Sequence, residues 1–561
     1  MQRRQFISDI FTEKEPPKAL PAEKFQNTTV PDHLDLGGGT IANYTGTWGD
    51  AQVKHLLRRA LFGFTKDDIS FFKSMTMSDA VDYIMNVPGT QPSPPVNGYN
   101  TTNAIDPDIS AGATWVNGPE NNDFVTQRRN SLYAWSMQNI FAPDRHIREK
   151  MSFFLHNHFA TEVELVFSPI IAYNHHKMLR ENCLGNFKDL VKKVTTDVAM
   201  LIYLNGYLNT KTAPDENYAR ELMELFTLGK SSESQYTEDD VKAAARVLTG
   251  WRINVNTGTS FFSDVVHDSS NKTFSSFFGN TTITGLTGAA GANETDDLIT
   301  MIFNKEDVVA RFIVRKLYRY FVYYVIDSNI ENNIIIPLAN DFKQNWELKP
   351  LVTALLKSEH FYDANNMGCY IKNPLDVFST YTKNFKVAFP TTPVEDVHDA
   401  YYTAFVACSV CGLTYGNPPN VSGWAAYYQV PQFYQLWLNS DTLPKRIMYT
   451  VALMIGLQYK TGKKLQADVI AFAQQFSDPS DPNKLIQETI DLLYAMDISS
   501  TQKTSLKQST LLFGQSNDIY WTTAWNDYMA NPNDANKKTT VTNGLLLMLK
   551  YLLDLAENQL A

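Results

Sequence analysis

The ends of its helices are the most constraining thing written in this chain. Ser168 followed by Pro169 supplies an N-cap hydroxyl and a first-turn residue whose φ is already set, and Gly185 stops the helix that follows. Thr237 caps another, with Asp240 three residues on as the reciprocal half of a capping box, and Gly250 closes it. Upstream, Asp50 as N-cap and Gly63 as stop bracket "DAQVKHLLRRALFGF", in which Val53, Leu56, Leu57, Ala60 and Leu61 share one side. A hydrophobic share of 44% in 561 residues can bury a large core. Length alone allows about two to four domain-sized units, fewer where one is all-helical and large. The pattern predicts a mostly α protein, with one large helical domain over residues 46–561.

Three segments depart from that pattern. Residues 1–45, with "EPPKALPAEK" and "DLGGGT", read as an extended arm, and 89–123 as a long loop of the kind that is usually functional or disordered. In 252–291 β-branched and aromatic residues stand among Gly, Asn and Ser, which predicts an irregular insert with a short β-hairpin or two. Helices return from about residue 295, with a break at "GNPPNVSGW". The polar "SDPSDPNK" reads as a link, since it lacks the Gly and terminal Glu of a calcium loop.

Charge and composition exclude several partners. A net charge of -10 and a pI near 5.5 provide no basic field for nucleic acid. No apolar run reaches the roughly eighteen residues of a transmembrane segment; the nearest, "GLLLMLKYLLDLAENQLA", is broken by Lys550 and Asp554. Four cysteines are too few for a disulfide scaffold. Arg3, Arg4 and Phe6 imitate a twin-arginine export signal, but "TEKEPPKALPAEKFQN" stands where its apolar region belongs. The expectation is a cytoplasmic protein, the alternative being export in complex with a partner that carries a complete signal.

The candidate site lies in "PDENYARELMELFTLG". At about a hundred degrees per residue Asn217, Glu221 and Glu224 share one ridge with Arg220 beside them, opposite a broad apolar arc that includes Tyr218, Leu222 and Phe226. Two carboxylates one turn apart, with an amide and a guanidinium alongside, have the chemistry to hold a divalent metal or to act as acid and base. An amphipathic helix with an ordinary hydrated face fits the same spacing. His156 and His158 diverge by about two hundred degrees on a helix, so both face one metal only if the helix ends between them. His158 comes one turn before Glu162. His175 and His176 are neighbours, so one of them at most faces any site. His267 and Asp268, with Lys272 close behind, offer a base beside a carboxylate, although loops also use Asp for turn hydrogen bonds.

Other matches are weaker. Ser70-Phe71-Phe72-Lys73 and Lys460-Thr461-Gly462 imitate elements of penicillin-binding serine enzymes, but the second reads as a turn between helices. Glu395-x-x-His398 lacks the second unit of a di-iron bundle, and Cys408-x-x-Cys411 lacks a second pair with zinc spacing.

The succession "HLLRRALFGF", "FLHNHFA", "LRENCLGNFKDL", "DVAMLIYLN", "DENYARELMELFTLG", "YTEDDVKAAARVLTGW", "HDSSNKTF", "IKNPLDVF" and "NPPNVSGWAAY" resembles the bacterial family named domain of unknown function 1800. The resemblance implies a single large helical domain, no established activity, and company with a second family similar to alkaline phosphatases and sulfatases. It places the family's polar signature on His55, Arg58, Arg59, His156, His158, Asn217, Arg220, Glu221, Glu224, His267, Asp268, Pro419, Gly423 and Trp424. Two positions depart from it. Asp215 stands where many members have Asn, and Phe226 where many have His, which removes one metal ligand from the set. Two functional expectations result: a binding or scaffold subunit that works with a protein partner, and a metal-dependent hydrolase with a Glu/His site.

Overall fold

The computed structural model describes residues 39–561 apart from Asn256. Arg3, Arg4, Phe6 and most of the arm lie outside the described residues. Gly39–Ala561 pack as one compact unit built from helices, with three two-stranded antiparallel sheets. No helix among the described residues is long and apolar enough to cross a membrane.

The helix stops and starts follow local hydrogen bonds. Helix α1, Asp50–Ala60, begins one residue earlier than its sequence suggests: Gly49 is the N-cap, and the Gln52 side chain accepts from its N–H at 3.3 Å. Helices α2 (Val125–Phe141) and α3 (Arg148–His158) are followed by α4 (Pro169–Glu181), whose N-cap Ser168 accepts from the amides of Ile170 and Ile171. Helix α4 ends at Glu181 with Asn182 as cap, short of Gly185. Helix α5, Asn217–Glu221, runs straight into a π-helical turn over Leu222–Thr227. Helix α6, Glu238–Val247, starts with the full capping box of Thr237 and Asp240, and Gly250 sits at φ 104° beyond its end.

The insert holds both short sheets of its region. Strands β1 (Trp251–Asn254) and β2 (Thr259–Phe262) form a hairpin with Arg252 opposite Phe261; β3 (Lys272–Thr273) pairs with β4 (Thr282–Ile283). Helices α7 (Asn293–Phe303), α8 (Glu306–Phe321), α9 (Pro374–Asn384), α10 (Val394–Val410) and α11 (Thr442–Ile455) follow. The Lys-Thr-Gly element is not an interhelical turn. It turns a third hairpin, β5 (Leu457–Lys460) and β6 (Lys463–Leu465), because β5 can pair there before the chain re-enters a helix.

The long loop is packed down rather than splayed. Arg128 and Asp106 form a buried ion pair at 2.9 Å, Asn97 Nδ2 donates to the Ile109 carbonyl, and Trp115, wholly buried, donates Nε1–H to Ser131 Oγ. Helix α2 then packs along α10, where Tyr133 stacks on Phe405 at 4.3 Å.

Helix α3 sits at the centre. Every residue from Arg148 to His158 except Glu149 is buried, yet the helix carries Arg148, Lys150, His156, Asn157 and His158 into the core. Each such group needs a partner there, because an unpaired polar group kept from water is costly. Those partners organise the candidate site.

Candidate functional site

The ridge residues are met by side chains from their own neighbourhood. Arg220 makes a two-pronged pair with Glu238 at the start of α6, at 2.9 and 2.6 Å, and a second pair with Glu216 at 3.0 Å. Glu224 pairs with Lys230 at 3.1 Å, and Asn217 donates Nδ2–H to the Leu204 carbonyl at 3.4 Å. Glu221 differs. It is half-buried, forms no hydrogen bond or ion pair among the described residues, and burial together with the Glu224 charge pushes its carboxyl above the usual range.

The π turn aims backbone rather than carboxylates at the core. Leu228 and Gly229 both reach back to the Met223 carbonyl, at 2.9 and 3.0 Å. The carbonyls of Leu225 and Phe226 are thereby left free. Lys316 of α8 donates to Leu225 O at 3.0 Å, and His158 Nε2 lies 3.0 Å from Phe226 O. Lys316 Nζ also lies 3.0 Å from His158 Nδ1, so the imidazole is occupied on both sides and does not meet Glu162, which instead accepts from Tyr203. Burial, then the Lys316 charge, holds His158 well below its ordinary range.

Burial, then Arg319, pushes the Lys316 amine down to about 7, and burial, then Arg58, does the same to Lys372. A free lysine titrates near 10.4. Between those values the unfolded chain binds more protons than the folded one, so stability rises with pH. The melting temperature is expected to climb from pH 7 to about 8.5, before ionisation of thiols and then tyrosines in the unfolded chain opposes it, and the climb is expected to flatten in Lys316→Met. A melting temperature that falls through this window would contradict the burial argument.

His267 and Asp268 face different partners. His267 Nε2 lies 3.0 Å from Glu294 Oε1 and its Nδ1 2.8 Å from the Thr249 carbonyl. Glu294 also takes the Lys272 ammonium, and all three side chains are essentially inaccessible. Asp268 pairs with Arg246 at 2.7 Å; burial works against its charge, but Arg246 and Ser270 hold it down to about 2. Its contribution to stability is therefore present above an ordinary carboxyl pKa and lost as pH falls through about 2.

His156 lies apart from His158, its ring 4.5 Å from that of His176, with neither of its nitrogens bonded. His175 is held by Asp197 at 2.8 Å. Among the described residues no group of three or more His, Cys, Asp or Glu side chains is placed to hold a metal ion.

A family model described as "Protein of unknown function (DUF1800)" matches residues 55–557, nearly the whole chain. The chain belongs to this family. No curated protein and no solved structure matches it. The remaining DUF1800-like signature positions serve the core. His55 Nε2 lies 2.9 Å from the Phe361 carbonyl, Arg58 donates to Tyr494 O and Arg59 to Asn366 O, so neither arginine reaches the Glu ridge. Trp424 packs on Phe153 of α3 at 5.1 Å, and its amide donates to Asn157 Oδ1 at 2.9 Å. Gly423 makes that approach feasible: at φ 89° a Cβ would lie 2.3 Å from Asn157 Oδ1. Gly423→Ala is expected to cost about 1–3 kcal/mol in a urea melt, through strain and a displaced Trp424.

Glu294, Lys316 and Glu238 were missed by the sequence reading. Glu294 and Glu238 read as ordinary first-turn acids, and Lys316 as the polar side of an amphipathic helix. No local signal separates them from solvated residues of the same type.

Proposed function

We infer that this chain is a binding or scaffold subunit for a protein partner. One observation carries the reading: Arg220, Glu224, His158, His267 and Asp268 are each already held by another part of the chain. A catalytic constellation needs groups with valences left for a substrate. Apolar surface is offered instead around the β1–β2 hairpin, where Val255, Phe261 and Val265 are 39%, 49% and 73% exposed. Strand β1 packs beside Gly206–Leu208, and Phe167, also exposed, meets Tyr207 edge-on.

The partner favoured is a protein of the phosphatase- or sulfatase-like kind that accompanies the family. Sedimentation of the full chain with such a protein tests this. The paired change Phe261→Ser with Val265→Ser is expected to abolish the complex while leaving the melting temperature unchanged. A complex that survives it would remove the hairpin from the argument.

Glu221 favours a second reading, a metal-dependent hydrolase, since it alone on the ridge keeps a half-buried carboxylate without a partner. A stoichiometric divalent ion in the purified protein, lost in Glu221→Gln, would favour that reading over the first. Arg220→Met is expected to shift melting only slightly, because its partner Glu238 stands in solvent.

A further inference from the structure

Arg148 is the charged residue of the central helix whose partners do not add up. It is 5% exposed, and of its five N–H donors one is used within the protein: Nη1 donates to the Thr90 carbonyl at 2.8 Å, while Nε is buried without a partner. The nearby groups able to neutralise it are otherwise engaged. Glu149 takes both Nε and Nη2 of Arg180. Asp144 is held to His146 at 2.6 Å. The Cys183 thiol, pushed up to about 12 by burial, stays protonated. Glu149 and Asp144 attract it through space but neither bonds to it, and a buried guanidinium with unbonded donors is costly.

A cavity of about 210 Å³ adjoins it, lined by Gly89, Gln91, Arg148, Arg180, Cys183 and Lys349 among others. Arg180 uses three of its five donors, two on Glu149 and one from Nη1 to Gln91 Oε1 at 2.6 Å, so Arg148, with one used, keeps the larger unused set. Lys349 is exposed and adds a second cation to the wall. The one acidic side chain in the lining, Glu181, lies 3.8 Å from Lys177. At Gly89 a Cβ would meet nothing within 4 Å, which leaves that wall open. The volume is below that of pockets for drug-sized ligands, roughly 300–1,000 Å³, and suits a small ion or the charged end of a small molecule.

We propose that this cavity is a binding site for a small oxyanion, a phosphate or carboxylate group, which supplies the counter-charge to Arg148. The planar fork of a guanidinium matches either group with two parallel hydrogen bonds, and Lys349 adds attraction from the side. The site lies apart from the Glu ridge and does not depend on what the hairpin binds.

The test uses the full-length protein in a buffer free of phosphate and carboxylates, titrated with inorganic phosphate and separately with acetate while thermal melting is followed. Saturable stabilisation by either ion is expected, because a ligand that binds only the folded state raises its melting temperature. The tighter arm tells a phosphate site from a carboxylate site. Lys349→Ala is expected to weaken the response several-fold, and Arg148→Met to abolish it. Should Arg148→Met fail to fold, the exposed Lys349 carries the test alone. The proposal is overturned if neither ion stabilises the protein at about 10 mM, or if Lys349→Ala responds as the natural protein does.

Discussion

Asp376→Asn is expected to remove about 3–5 kcal/mol of stability, the cost of breaking a buried ion pair from one side. Asp376 takes the Lys150 ammonium of α3, and both side chains are at least nine-tenths buried. Three further basic side chains are buried around them: Arg59 at 3% exposure, Arg446 at 1%, and Lys372 at 3%, whose amine burial pushes down to about 7. Those three bond to neutral groups alone, and Arg59 and Arg446 each keep two buried nitrogens without a partner. Arg59 donates to Asn366 O at 3.0 Å, Lys372 to Asn558 O at 2.8 Å, and Arg446 to Lys372 O at 2.8 Å. Asp376 is thus the one carboxylate bonded to this cluster among the described residues. Asn keeps the shape of Asp and leaves untouched the backbone N–H that Asp376 donates to the N-cap Asn373, while deleting the charge, so the change isolates electrostatics. Urea melts measure the loss. The double variant Lys150→Met with Asp376→Asn is expected to recover much of it, since removing both partners leaves no orphaned charge. A single-variant loss under about 1 kcal/mol would mean that the cations are neutralised by something else.

The fold class was legible because helix ends are decided within three or four residues. Ser168 and Thr237 cap as expected, since each hydroxyl meets an amide of its own first turn. Asp50 was misplaced by one position for an equally local reason: Gln52 reaches back to Gly49 and moves the cap there. The hairpin insert was legible from its β-branched and aromatic residues, but its first strand begins at Trp251, one residue before the expected boundary, and its register was not legible.

The surroundings of the ridge were not legible, because they depend on distant residues. The ridge was drawn at the pitch of an α-helix, whereas a π turn begins at Leu222. The carbonyls that turn releases are taken by His158 and Lys316, which stand 68 and 91 residues away along the chain. Adjacency misled in the same way at His267 and Asp268. Neighbours in sequence, they turn to Glu294 and Arg246 respectively, and neither partner can be guessed from the dipeptide.

Glu294→Gln is expected to cost a similar 3–5 kcal/mol, with a different spatial signature. The Glu294 carboxylate, in the first turn of α7, accepts from the Leu286 amide at 2.6 Å, lies 3.0 Å from His267 Nε2 and holds the Lys272 ammonium. Its partners in the insert come from both sides of β3 and from the approach to α7, so one side chain ties residues 267–286 to the helical body. Glutamine can still accept through its Oε1, but its amide N–H groups would face the Lys272 ammonium donor to donor. Lys272, at 0% exposure, would then be buried with only the Asp268 carbonyl as support. The loss should therefore appear first as local opening, with hydrogen exchange and protease cleavage rising across 264–292 before the helices around α3 are affected. The paired change Lys272→Met with Glu294→Gln is expected to restore protection. Because the same insert presents Phe261 and Val265, Glu294→Gln should also weaken partner binding without touching the apolar contact surface. If exchange rises uniformly over the chain instead, the carboxylate belongs to the global core, and the hairpin is not held by it.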